Sequence, residues 1–196
     1  DSAAIGSVKN KSAGSIIING GTINASVVNS EAAAIGSGKI ESGASIDTGY
    51  AVNNITINGG KVYANSDKAP AVGAGICEQN LPTQNITVNG GMLIANSNSG
   101  EYTLGSGNTN KTVINSGIVT AGSIGGSKIV IENTASVKTD RVSNPVNGKN
   151  ESVSLNEIPI TVGEQVVIDG KGYRCIGHNG ENKMYLYLTN PDEIKE

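Results

Sequence analysis

The chain has 196 residues, among them 27 Gly, six Tyr and neither Phe nor Trp, and its 16% charged residues leave a formal net charge of −3. A core without large aromatics must be built from Ile, Val, Leu and Ala, which suits a narrow interior. There is no basic stripe for nucleic acid, and no apolar run approaches the roughly 20 residues of a membrane span.

In chain order, Asp1 to Gly6 already read as part of a repeat, so the chain is expected to be a piece of a longer protein with any export signal or anchor outside it. One ten-residue pattern then recurs: IIINGGTINA at 16–25, ITINGGKVYA at 55–64, ITVNGGMLIA at 86–95 and TVINSGIVTA at 112–121, with a degenerate copy from Ile129 whose corner falls at Asn133. A companion element accompanies it: Ala-Ile-Gly at 4–6 and 34–36, Ala-Val-Gly at 71–73, Thr-Leu-Gly at 103–105 and Ser-Ile-Gly at 123–125. Within the motif apolar residues alternate at period two, so Ile16 and Ile18 face one side and Ile17 the other. After the Asn-Gly-Gly corner, Ile23 and Ala25 and their equivalents resume the inward alternation.

Asn-Gly is also the strongest hairpin signal, and an antiparallel sandwich would explain each turn separately. It would not explain two elements recurring in one fixed order. The expected fold is therefore all-β, a right-handed parallel β-helix of about five irregular coils over 1–143, followed by a small C-terminal β-meander over 144–196. Stacked coils place Asn19, Asn58, Asn89 and Asn115 above one another as a corner ladder, with the glycines after them supplying positive φ.

The intervals between corners shorten along the chain, and the longest insertions are Ser37 to Asn54 and Ala74 to Asn85. Insertions on one face of a repeat are where binding is commonly placed. They carry Glu41, Asp47, Tyr50, Glu78 and Gln79, the candidate ligand residues. Carboxylates on neighbouring loops offer oxygen ligands for Ca²⁺, and a tyrosine can stack on a sugar ring; a solvated polar surface is the other reading of the same residues. On the second sheet the outward positions turn apolar toward the C-terminal coils, and Met92, Ile94 and Ile118 form a face expected to receive the C-terminal segment.

After Asp140 the coil motif stops. Short alternating stretches at 151–155, 158–162, 165–169, 172–176 and 183–188, separated by turn residues, read as the meander, expected to shield the open end of the last coil.

Catalysis finds little support. Only Arg141 and Arg174 could serve a lyase as arginines, no close acidic pair for glycoside hydrolysis occurs in the repeats, and His178 reads as a turn residue. Cys77 and Cys175 sit in no metal-binding spacing and are expected to be unpaired. The sequence thus points to a non-catalytic surface module, structural or adhesive, with a carbohydrate-binding module as the alternative and a polysaccharide lyase or hydrolase behind both.

The combination of Ile-Thr-Ile-Asn-Gly-Gly at 55–60, Ala-Ala-Ile-Gly-Ser-Gly at 33–38 and the ending Lys-Met-Tyr-Leu-Tyr-Leu at 183–188 resembles the β-helical repeat regions of large, adhesin-like or carbohydrate-binding-domain-containing surface proteins of Gram-positive gut bacteria. The resemblance covers most of the chain. It implies an exported, wall-attached location, neighbouring domains in the parent chain, and a host or plant glycan or a host surface protein as partner. It supplies no catalytic residue.

Overall fold

In a computed structural model, residues 1–98, 101–132, 134–144 and 146 are described, together with the backbone of 165–168, 171–178 and 183–187. All regular structure among them is strand. The first coil contributes β1 (Ile5–Gly6), β2 (Ile16–Ile18) and β3 (Thr22–Ser26). The second contributes β4 (Ile35–Gly36), β5 (Val52–Ile57) and β6 (Lys61–Ser66), and the third β7 (Val72–Gly73), β8 (Thr83–Val88) and β9 (Met92–Ser97). The fourth has β10 (Thr109–Ile114) and β11 (Gly117–Ala121), with Leu104 bridging Val72 and Ile124 in place of a short strand. Then come β12 (Ser123–Ile124), β13 (Lys128–Ile131), β14 (Ala135–Lys138) and β15 (Arg141–Val142).

These strands stack in parallel, coil on coil, into three sheets. One follows the order β2, β5, β8, β10, β13 and another β3, β6, β9, β11, β14; the third runs through the short strands β1, β4 and β7, continuing by way of Leu104 to β12 and β15. The result is a β-helix-like solenoid with parallel pairing throughout, not the antiparallel hairpins that Asn-Gly alone would suggest. Register follows the repeat: Ile16, Ile55, Ile86, Thr112 and Ile129 form one column, and Ala25, Ala64, Ala95 and Ala121 another.

Alternation buries every second side chain. Ile55, Ile57, Val62, Ala64, Ile86, Val88, Leu93 and Ala95 are all fully enclosed, whereas Ile17 on the outer face of β2 is 62% exposed. Thr112 interrupts an isoleucine column at no cost in unpaired polarity, because its Oγ1 donates to the Gly125 carbonyl at 2.6 Å.

The corner asparagines are joined directly. Asn58 Nδ2 donates to Asn19 Oδ1, Asn89 to Asn58 and Asn115 to Asn89, each at 2.8 Å across sequence separations of 39, 31 and 26 residues. Asn133 lies outside the described residues. Two further asparagine pairs follow the same register, Asn85 to Asn54 at 2.8 Å and Asn96 to Asn65 at 3.0 Å. The glycines after the corner are not equivalent, which corrects the expectation that both supply positive φ. Only the second of each pair does, at Gly21, Gly60, Gly91 and Gly117 (φ 79° to 94°). This explains why Ser116 can stand at the first glycine's place in the fourth coil.

The companion glycines meet a stricter demand. A Cβ on Gly6 would lie 1.8 Å from the Gly36 carbonyl oxygen, and one on Gly36 would lie 1.7 Å from that of Gly73. Backbone passes over backbone here, so a side chain has no room.

Beyond the coils, β16 (Gln165–Ile168), β17 (Lys171–His178) and β18 (Lys183–Tyr187) form an antiparallel sheet in that order. The β17 trace runs beside β15 and β14, the last strands of the stack. The expected strands at 151–155 and 158–162 lie outside the described residues. His178, read from sequence as a turn residue, instead ends β17, paired with Lys183; the strand continues past a register shift at Cys175/Gly177 to include it.

Candidate functional site

The candidate ligand residues lie on the segments joining the short strands to the next sheet: 37–51 in the second coil and 74–82 in the third. Their counterparts in the fourth and fifth coils shrink to 105–108 and 125–127. The long insertions are stacked and tied, because Ile40 bridges Cys77 in parallel and the flanking side chains bind across coils.

Glu41 Oε1 pairs with Lys9 Nζ at 2.7 Å, and its Oε2 accepts from Asn10 Nδ2 at 3.1 Å. Asn10 Oδ1 in turn accepts the Glu41 backbone N–H at 2.9 Å. Lys39 Nζ stands between two carboxylates, Glu31 at 2.6 Å and Glu78 at 3.5 Å. The second oxygen of Glu78 accepts the Ser42 N–H at 3.0 Å. Gln79 Nε2 donates to the carbonyls of Glu41 and Ala44, both at 2.8 Å.

Hydrogen bonding and charge set the protonation. The Lys39 ammonium holds Glu31 below the usual carboxylate range, and the Glu31 hydrogen bond holds Lys39 above the usual lysine value. Glu41 is lowered by Lys9 and then Asn10, and Glu78 by the Ser42 N–H and then Lys39. Lys39, Glu31, Glu41 and Glu78 thus stay ionised over a wide pH range and hold one another.

Three of the candidate residues, Glu41, Glu78 and Gln79, therefore come together, but as rungs between coils. Asp47 is exposed and Tyr50 half-buried in the same insertion, where the Tyr50 carbonyl accepts from Ser12 Oγ at 2.8 Å and Thr48 Oγ1 at 3.0 Å. Both oxygens of Glu41 and of Glu78 are already engaged, so Ca²⁺ would have to displace an ammonium or an N–H to bind there. No three His, Cys, Asp or Glu side chains converge among the described residues. The Glu41 and Glu78 carboxylates are thus committed to protein partners and not held open for a calcium ion.

Met92 and Ile94 are half-buried on the outer face of β9, and Ile118, 55% exposed, stands over Met92 on β11. Cys77 is a free, half-buried thiol whose Sγ accepts the Leu81 N–H at 3.4 Å.

A cleft escaped the sequence reading. Where the insertion 74–82 gives way to the short 105–108 segment, the stack drops by a step, and a hollow of about 220 Å³ opens beneath the overhang. Pro70, Ala74, Ile76, Cys77 and Leu81 supply apolar wall, while Lys68, Glu101, Tyr102, Ser106 and Asn108 supply polar groups. The Tyr102 ring is held from outside the cleft lining by Arg141, whose Cζ lies 5.1 Å from the ring centroid. Two signals in the sequence pointed here: the abrupt shortening after the third coil, and a tyrosine in a chain with only six.

No protein-family model, no curated protein and no solved structure matches this chain.

Proposed function

We propose that this chain is a non-catalytic, extracellular surface module, a right-handed parallel β-helix that holds its coil insertions at fixed spacing for structural or adhesive display. The observation that carries the reading is the cross-coil tying of the insertions. Carboxylates that a catalyst or metal site would keep available are committed to Lys9, Asn10, Lys39 and the Ser42 N–H. Rigid loops suit display, because a partner then meets a surface whose ordering entropy has been spent on folding. The right-handed sense follows the rule for parallel crossovers, and attachment would lie in neighbouring domains of the parent chain. No helix among the described residues is long and apolar enough to cross a membrane.

Beads coated with the chain, or with a variant lacking residues 42–50, test the reading by their retention on mucin, plant cell wall and epithelial surfaces. Retention that falls on trimming supports display by the insertions. Retention on none of the surfaces, equal retention of both bead types, or release of reducing ends or unsaturated uronates from a polysaccharide panel would overturn it.

A further inference from the structure

The cleft beneath the step has no place in the display of the insertions, yet its walls are more specific than a packing fault requires. Its volume of about 220 Å³ falls below the ~300–1,000 Å³ of sites for drug-sized ligands, so it admits one ring and not a chain. Pro70, Ile76 and Leu81 contribute C–H surface to its wall, and Tyr102, with Arg141 over its ring, contributes an aromatic face. A ring that packs there must be apolar on its faces and polar at its edge.

The charges narrow the chemistry further. Among the described lining residues there is one cation, Lys68, and one anion, Glu101; Lys68 acts on Glu31 through space, and neither Lys68 nor Glu101 forms a direct salt bridge among the described residues. A ligand of either net charge would be attracted by one and repelled by the other. A neutral polyhydroxylated ring satisfies both, since each hydroxyl accepts from the Lys68 ammonium or donates to the Glu101 carboxylate. Asn108 and Ser106 can donate or accept beside them. We infer that the cleft binds a single neutral sugar ring of a glycan. Glu101 is the only carboxylate among the described lining residues, whereas glycoside hydrolysis takes an acid and base pair, so the role assigned to the cleft is holding the sugar and not cleaving it.

The inference is independent of the display reading, whose bead assay turns on residues 42–50 and not on the cleft. Saturation-transfer NMR on the full chain, with methyl glycosides of glucose, galactose, mannose and xylose, tests it directly. Cys77 gives a second readout: in a Cys175→Ser background its alkylation by iodoacetamide should slow as a binding glycoside is added. At least one neutral glycoside should bind, with Kd on the order of 1 mM, and slow alkylation about threefold or more near saturation. Tyr102→Leu and Glu101→Gln should each weaken it about tenfold with unchanged circular dichroism. If Cys175→Ser fails to fold, the NMR titration of the natural chain and its two variants decides alone. The inference falls if no neutral glycoside binds, if binding survives both substitutions, or if glucuronate or glucosamine binds more tightly than every neutral sugar.

Discussion

Substituting Gly36 by Ala probes the tightest point of the stack. The residue sits at φ +142°, and its new Cβ would lie 1.7 Å from the Gly73 carbonyl oxygen, where about 3.4 Å is ordinary contact. Relief requires β4 and β7 to separate by more than an ångström, in a sheet whose strands lie about 4.8 Å apart. The hydrogen bonds Ile35 N–H to Ala71 O (2.9 Å) and Ser37 N–H to Gly73 O (3.2 Å) stand on either side of the clash and would be stretched or lost. Two buried backbone bonds at ~1–3 kcal/mol each, with backbone strain of ~1–3 kcal/mol, give an expected loss of about 3–9 kcal/mol. Urea unfolding followed by circular dichroism measures it. Gly20→Ala is the control, because its Cβ meets nothing within 4 Å and its φ is not positive; it should move stability by no more than about 0.5 kcal/mol. A Gly36→Ala protein as stable as the Gly20→Ala protein would refute the close-packed stacking of the short strands.

Other substitutions follow the same geometry. The asparagine ladder is directional, each Nδ2 donating to the preceding coil, so Asn58→Asp loses the donor to Asn19 and should cost ~1–2 kcal/mol. Asn19→Asp keeps an acceptor for Asn58 and should stay within about 0.5 kcal/mol of the natural chain; urea midpoints compare the two. Thr83 Oγ1 is buried with no hydrogen-bond partner among the described residues, and the position above it in the same column is Val52. Thr83→Val should therefore raise stability by about 1 kcal/mol in the same assay. The depressed native values of Glu31, Glu41 and Glu78 mean that the unfolded chain takes up their protons first. Their contribution is complete above about pH 4.3, the ordinary Glu value, and lost as pH falls through the native values. Lys39→Met should thus flatten the acid limb of a stability–pH curve, and an unchanged limb would count against the pairing.

The coil stack was legible because a repeat writes its own register. Once ITINGG and ITVNGG are aligned, the isoleucine columns, the alanine column and the asparagine corner follow, since equivalent residues of stacked coils must be neighbours. Asn54 with Asn85 and Asn65 with Asn96 were readable by the same logic and were missed only because they fall outside the turn motif. The separate roles of the two corner glycines were not legible, although Ser116 held the clue that the first of them needs no special backbone.

The site was less legible for a physical reason. Whether an acidic loop residue faces a ligand or its neighbour depends on which insertions overlap and on lysines from other coils. Glu41 finds Lys9 from the coil before, and Lys39 finds Glu78 from the coil after, pairings that local composition cannot reveal. The Tyr102 cleft is created by a difference in loop length between adjacent coils, a property of the stack and of no single segment.

Parallel in-register stacking is tested most directly by cross-linking the outward column Thr56, Thr87, Val113. With Cys77 and Cys175 replaced by serine, Thr56→Cys with Thr87→Cys, and Thr87→Cys with Val113→Cys, place thiols on register partners in adjacent coils. Their Cα atoms, about 4.8 Å apart, lie within disulfide reach. Both pairs should oxidise readily, whereas Thr56→Cys with Val113→Cys, two coils apart, should not. Ready bridging of the distant pair, or failure of both adjacent ones in folded protein, would contradict the stacked-coil fold.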